Sequence, residues 1–429
     1  MITATRNYFV FLWRCARIAF VGDWRYYAWM GLLTALTLIG LNAYCKQLVH
    51  GLIVTGMSDE VSWGVYIANF TFLVGVAAAA VMMVIPVYIY DNEELHDLVI
   101  FGELLAVAAI VMCLAFVTVD LGRPDRFWHL IPGIGEFNFP ASMLSWDVIV
   151  LNGYLLLNVH ICGYLLYCRY HDRKPSKWFY IPFVFIAIFW AVSIHTVTAF
   201  LYVGLGGRPF WNSAIVGPRF LASAFSAGPA MIILALQVIR SVTHYRITDK
   251  ALLTLRSIVQ VAMIINVFLL ANEVFKEFYS GNLHVASSKY LYLGLHGHHA
   301  LVPWIWTAVG LNLVGMFLLI LPLTHSLRWL NLACVCCIVG IWIEKGMGLV
   351  IPGFVPTPLG AISEYSPSLN ETLVCVGIWA FGILLYTVFL RMAVPILQGR
   401  LSKANEGQPE IQGDEPDVDF SKHPEPARH

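Results

Sequence analysis

Charge is what this 429-residue sequence most lacks. Asp, Glu, Lys and Arg make up 12% of it, against about a quarter in a typical soluble domain. With 59% hydrophobic residues and a mean hydropathy of +0.72, that scarcity excludes an ordinary soluble domain and points to a polytopic membrane protein. Basic and acidic residues number 26 each, so there is no cationic excess to attract nucleic acid. There is no GxxxxGK[ST] or GxGxxG phosphate loop, which removes those nucleotide-binding modes. The absence of CxxCH excludes c-type haem attachment. Nine cysteines occur, and the tightest group, Cys334, Cys336 and Cys337, lies inside an apolar run. Iron–sulfur ligation needs spaced thiolates in a polar loop, so these read as small buried hydrophobes. The first 25 residues carry Arg6, Arg14, Arg17 and Arg25 without a cleavage-like small-residue site, unlike a secretory leader.

What is present is a series of long apolar segments. Ten are expected to span a membrane as helices: 26–49, 61–90, 98–119, 142–168, 178–203, 218–242, 252–279, 299–321, 327–350 and 369–396. A β-barrel would show short alternating strands instead. The fold class is therefore all-α integral membrane. Segments two to five and six to nine are each long enough in series to close a four-helix bundle, with the first and tenth as flanking helices. Three regions follow: an interfacial N-terminal segment (1–25), with Arg14 and Arg17 beside Phe11, Trp13 and Phe20; a ten-helix membrane domain (26–396); and a Pro-, Gly- and acid-rich tail (397–429) expected to be disordered or docked on a partner.

Lys and Arg set the expected orientation. They concentrate in the N-terminal flank, at Arg169, Arg173, Lys174 and Lys177, at Arg240, Arg246 and Lys250, and at Arg391, Arg400 and Lys403. All of these fall on one side if both termini are cytoplasmic. The acidic loop 91–97 is the exception.

The stretch DLGRPDRFWHLIPGIGEFNFPASMLSWD, Asp120 to Asp147, then lies on the outer face. It holds Arg123, Arg126, His129, Trp128, Trp146, four acids and three prolines. Such a composition serves one of two ends. One is interfacial anchoring by Trp and Arg, with Asp120 and Asp147 at helix termini. The other is a pocket for a flat, amphipathic redox molecule. A quinol that loses two electrons also loses two protons, and a His beside a carboxylate can accept them near neutral pH. Trp63, Tyr66 and Asn69, at the start of the second span, belong to the same end of the molecule.

Ionisable groups inside spans are functional candidates by default, because each costs about 2.5–3.5 kcal/mol in hydrocarbon. They include Glu103, Glu273, Glu277, Glu344, Lys345, His160, His195, His298 and His299. Glu103 and Glu273 occupy related places in the two halves and are candidates for a proton path; a neutral, hydrogen-bonded Glu103 is the structural alternative. Glu344 and Lys345 are adjacent and read as a local pair. The HGHH cluster around His298 is weak evidence for a metal and reads as loop packing. His160 and His195 differ in depth by about nine residues, roughly 13 Å at 1.5 Å per residue, too far for one haem; His50 and His195 are more nearly level.

SWGVYIANFTFLVGVAAAAVM, FGELLAVAAIVM, VDLGRPDRFWHL and MLSWDVIVLNGY resemble the NrfD/PsrC family of polysulfide-reductase-type membrane subunits. GLHGHHALVPWIWT and EKGMGLVIPGFVPTPLG are similar to its ten-helix branch of DsrP-type and Hmc/Hme-type subunits. The likeness covers nearly all of residues 20–396. It implies a menaquinone site near the outer face of the first bundle, with no haem, iron–sulfur cluster or metal bound by this chain. Carried over, the quinone positions are Trp63, Asn69, Asp120, Arg123, His129 and Asp147, with His129, Asp147 and Asp120 as the proton-handling groups. Glu103 matches an in-span acid of the family. The implied setting is the cytoplasmic membrane of a prokaryote. The implied partners are a periplasmic ferredoxin-like iron–sulfur subunit, a multihaem cytochrome c, a haem b membrane subunit and a cytoplasmic heterodisulfide-reductase-like iron–sulfur subunit, in dissimilatory sulfur metabolism.

Overall fold

The computed structural model describes residues 2–90, 92–281 and 285–405. Among the described residues the chain is helical, without β-strands. The ten long apolar helices are Trp24–His50, Val65–Tyr88, Val99–Asp120, Met143–Tyr170, Lys177–Val203, Val216–Thr243, Asp249–Ser280, Val302–Ile320, Leu327–Gly353 and Leu369–Leu397, the first to tenth spans in chain order. They make this an all-α, multi-pass integral membrane protein.

Local chemistry sets the ends. Asp23 accepts the Tyr26 amide at 2.9 Å to start the first span, and Thr248 does the same for Ala251 at 3.2 Å in the seventh. Ser368 and Glu371 form a reciprocal capping box on the tenth. Gly281, at φ 59°, closes the seventh in the left-handed region where glycine bears no steric cost. The eighth span begins three residues later than the hydrophobic run predicts. His296 and Gly297, both at positive φ, hold a turn closed by the Leu295–His298 bridge, and Pro303 then fills the first helical turn.

The second to fifth spans close one four-helix bundle and the sixth to ninth a second. The first and tenth lie side by side on the flank, and the tenth packs on the third. The second, third and ninth spans are innermost: 78%, 83% and 78% of their most apolar stretches are buried within the protein, against 17% for the first. Lipid supplies no hydrophobic force between helices, so association depends on close packing of small residues. Gly40 and Gly377 bring the first and tenth spans so near that a Cβ on Gly40 would sit 2.5 Å from the Gly377 Cα. Gly75 against Ala224, and Gly228 against Ala79, form a similar seam between the second and sixth spans, where the two bundles meet.

The acidic loop that breaks the charge pattern has a partner. Glu94 accepts hydrogen bonds from Thr248 Oγ1 at 2.7 Å and Lys250 Nζ at 3.3 Å, in the basic loop before the seventh span. Those bonds hold its carboxyl below the usual range. The two loops therefore share a face, as the count of the remaining Lys and Arg requires. The N-terminal helix Ile2–Ala19 packs against that same face. Phe11 and Cys15 turn inward onto Leu104, Cys162, Leu166 and Ile396, while Trp13 and Phe20 are exposed. At the other terminus, Leu401 is buried in the same cluster; residues 406–429, most of the expected tail, lie outside the described residues.

The Gly40–Gly377 contact makes a prediction. Gly40→Leu should force the first and tenth spans apart and cost about 1–3 kcal/mol, as overpacking does. Gly31→Leu, with nothing within 4 Å of its Cβ position, should leave stability unchanged. Thermal denaturation of the detergent-solubilised protein measures both.

Candidate functional site

The 120–147 loop begins with a short helix, Pro124–Leu130. Arg123 does not reach Asp120. It forms a bidentate pair with Asp125, at 3.0 and 2.9 Å, on the exposed surface, and those bonds hold the Asp125 carboxyl below the usual range. His129 is exposed and stacks against Trp128, ring centroids 3.8 Å apart. The loop then folds back on the fourth span: Ser145 Oγ donates to the Phe137 carbonyl, and Trp146 Nε1 donates to the Pro140 carbonyl at 2.9 Å.

Asp147 is not a helix cap. Ser142 occupies that position, and Asp147 lies inside the bundle, 2% exposed. Its Oδ1 is 3.3 Å from Thr198 Oγ1 on the fifth span. Asp120, at the end of the third span, has a buried Oδ1 without a hydrogen-bond partner. It lies within Coulombic range of Glu371, Tyr66 and Tyr202. Tyr202 is also within range of Asp147, and its hydroxyl is 2.5 Å from Thr71 Oγ1. Thr71 spends its own hydrogen on the Ile67 carbonyl at 2.7 Å, so the Tyr202 phenol is the donor of that pair. Trp63, half-buried, meets Tyr202, Trp211 and Phe354, each with ring centroids 5.7 Å away. Thus Trp63 packs on Tyr202, and Asp120 and Asp147 lie within electrostatic range of it. Arg123 and His129 stand apart on the exposed loop.

Asn69 is committed to structure. Its Oδ1 accepts from both Trp342 Nε1, at 3.0 Å, and Trp379 Nε1, at 2.9 Å. Its Nδ2 donates to the Val65 carbonyl at 2.8 Å. One buried amide therefore joins the second, ninth and tenth spans, and no part of it points to a free site.

Glu103 and Glu273 are not equivalent. The third and seventh spans run the same way, but Glu103 lies four residues from the start of its span and Glu273 seven from the end. They sit at opposite faces. Glu103 is 2% exposed, accepts from Cys162 Sγ at 3.1 Å, and lies under the N-terminal helix. Glu273 forms an ion pair with Arg219, which also holds Glu344 at 2.6 Å. Asn266 and Asn312 donate to the other oxygen of Glu344 at 3.2 and 2.6 Å. Lys345 is 3.9 Å from Glu344 and 3% exposed, so it is buried in the protein rather than extended to the interface. Arg219 is the residue that sequence reasoning missed. Its signal was a single cation one residue inside the expected sixth span. His298 pairs with Glu364 at 3.5 Å, which makes the HGHH segment part of loop packing. Among the described residues no group of three or more His, Cys, Asp or Glu is placed to hold a metal.

Two four-helix bundles with buried titratable groups inside them define a polytopic all-α membrane protein. The family model described as polysulphide reductase, NrfD matches residues 53–356, and the chain belongs to that family. It is similar to the Hdr-like menaquinol oxidoreductase integral membrane subunit of Archaeoglobus fulgidus, 23% identical over 86% of this chain and 93% of that protein. It is also similar to a putative dimethyl sulfoxide reductase membrane subunit of Halobacterium salinarum, 26% identical over 85% of this chain and 90% of that protein. A polysulfide reductase polypeptide of Wolinella succinogenes matches a shorter stretch, 29% identical over 40% of this chain and 56% of that protein.

If Asn69 is structural, Asn69→Ala strands two buried indole N–H groups, at about 1–3 kcal/mol each. The expected result is a marked fall in thermal stability, read by denaturation of the solubilised protein.

Proposed function

We propose that this chain is the quinone-interacting membrane subunit of a multi-subunit respiratory oxidoreductase, and that a menaquinone head group binds beside Asp120, Asp147, Tyr202 and Trp63. The observation that carries this reading is the buried Asp120 Oδ1 without a partner, within electrostatic range of Tyr202, on which Trp63 packs. An orphaned buried acceptor costs about 1–3 kcal/mol unless something else bonds to it, and a quinol hydroxyl is a donor of the right kind. The residues present therefore fit the group. When bound, the quinone supplies two-electron, two-proton chemistry. The protein's own part is to position the ring on Trp63, hold hydrogen bonds at Asp120 and Tyr202, and accept a proton at Asp147. Thr198 has one hydrogen to share between the Ile194 carbonyl and Asp147, so it senses the protonation state of that carboxyl. Arg123 and His129 belong to the rim through which the ring would pass.

The name of the Archaeoglobus relative supports menaquinol as the carrier. The relatives are named as parts of oxidoreductases, and this supports electron exchange with an iron–sulfur partner at the loop face. A Dsr-type assembly in dissimilatory sulfur metabolism is our finer reading. In it a ferredoxin-like subunit and a multihaem cytochrome c lie outside. A haem b membrane subunit and a heterodisulfide-reductase-like iron–sulfur subunit make up the rest, in the cytoplasmic membrane with both termini of this chain inside. It rests on the LHGHHALVPWIW and EKGMGLVIPGF stretches. Glu103 and Glu273 serve separate proton routes at opposite faces. A second reading, an ion-translocating or purely anchoring subunit, is favoured by the buried Arg219–Glu273–Glu344 cluster.

Asp147→Asn should lower the turnover number for a soluble menaquinol analogue by about a hundredfold or more, the usual scale of a lost acid–base group, with assembly intact. His129→Ala, on the rim, should raise KM several-fold while the turnover number holds. Steady-state kinetics on the purified complex measures both; unchanged turnover in Asp147→Asn would remove that residue from the site.

A further inference from the structure

His195 has no role in the site just described, yet it is buried in the fifth span at 1% exposure with an unpartnered ring nitrogen. Its Nδ1 lies 2.9 Å from the Ala191 carbonyl, which can only accept, so the proton is on Nδ1. Nε2 carries the lone pair. His195 lines a small pocket in the seam between the two bundles, together with Thr71, Phe220, Ser223, Ile341 and Lys345. Lys345 is the matching donor: it is buried, its nearest carboxylate is 3.9 Å away, and its ammonium lies 5.1 Å from the centre of the Phe220 ring. The ninth span can bring it here because Gly346 lets the backbone come close to the second span, where a Cβ would stand 3.2 Å from that of Ala68.

The pocket is thus lined by a donor, Lys345, an acceptor, His195, and two hydroxyl residues, Thr71 and Ser223, whose oxygens can still accept. A buried water needs such a polar setting with two to four partners. We propose that Lys345 and His195 are a proton-transfer pair bridged by water across the bundle interface. The ammonium gives a proton to the water, and the water gives one to Nε2. Lys345 becomes a neutral amine and His195 an imidazolium, N–H and O–H bonds alone are exchanged, and the reverse step restores both. The titratable and charged groups around the pair are Glu344 and Arg219 on the Lys345 side, and Tyr202, which bonds the pocket residue Thr71 and lies within electrostatic range of Asp147. Thr71 of the second span and Ser223 of the sixth add hydroxyls.

The pair therefore links two regions. On one side is the Asp147–Tyr202 group. On the other is the Arg219–Glu273–Glu344 cluster, which borders a second pocket with Glu277 and Ser288 at the loop face. Protons exchanged at the first bundle would travel through the second. This rests on the quinone reading of the site and adds a route to it.

The test uses the purified complex, a soluble naphthoquinol and ferricyanide as electron acceptor. Lys345→Arg keeps the charge beside Glu344 but cannot release a proton at working pH; His195→Gln keeps a polar side chain without titration. Each should slow turnover by about tenfold and raise the solvent deuterium isotope effect, with KM for the quinol unchanged. A purely structural role would alter assembly or stability without raising the isotope effect. Unchanged rate and isotope effect in assembled variants would overturn the proposal. Should the variants fail to assemble, electron cryo-microscopy of the native complex at water-resolving detail decides: density between Lys345 Nζ and His195 Nε2 supports it and a dry pocket overturns it. Failure of the native complex to oxidise the quinol would sink the quinone reading instead, a separate outcome.

Discussion

In hydrocarbon, a buried polar group must find its partner inside the protein. That constraint organises this structure. Asn69 meets it with two indole donors from different spans. Arg219 meets it by holding Glu273 and Glu344 together, and Glu344 has further donors in Asn266 and Asn312. These bonds join the second, ninth and tenth spans to one another, and the sixth, seventh, eighth and ninth likewise. Breaking a buried pair by removing one partner costs about 3–5 kcal/mol, so each connection fixes helix register as well as helix contact. Close backbone approach at Gly40, Gly75, Gly228 and Gly377 completes the packing.

The constraint is not met everywhere. Asp120 and His195, like Asn92, Arg219, Asn266, Tyr290 and Asn312, leave a buried polar atom without a partner. At Asp120 and His195 we propose that something other than the polypeptide completes the bond. Asp120 lies within electrostatic range of Tyr202, on which Trp63 packs. His195 and Lys345 line the same small pocket. The Tyr202 and Thr71 hydroxyls are joined, and Thr71 lines the pocket that His195 also lines, so the seam between the bundles meets the candidate site at Tyr202.

Much of this fold was legible in the sequence. Runs of apolar residues define their own lengths, and the ten spans fell within a few residues of expectation because lipid thickness and capping residues leave little freedom. The pairing of Glu94 with Thr248 and Lys250 explains the one loop that broke the charge rule, and only tertiary structure could reveal it. The grouping that we propose as the site was legible only in part. Trp63, Asp120 and Asp147 lie at helix ends next to the marked loop, where sequence proximity is informative. Tyr202 and Trp211 reach the same place from far along the sequence, without a periodicity to announce them. Asn69 has the right depth for a ligand, but its bonds go to Trp342 and Trp379, hundreds of residues away. The matching of Glu103 with Glu273 failed for a geometric reason: equal helix rank in two bundles does not give equal depth.

The central claim is that a quinone head group sits between Trp63, Asp120, Asp147 and Tyr202. The most direct measurement is photoaffinity labelling of the purified complex with an azido-naphthoquinone, followed by peptide mapping. The account predicts adducts on the segments around Trp63, the end of the third span and the end of the fifth, suppressed by excess menaquinone. Labelling confined to lipid-facing residues, or unaffected by menaquinone, would contradict it.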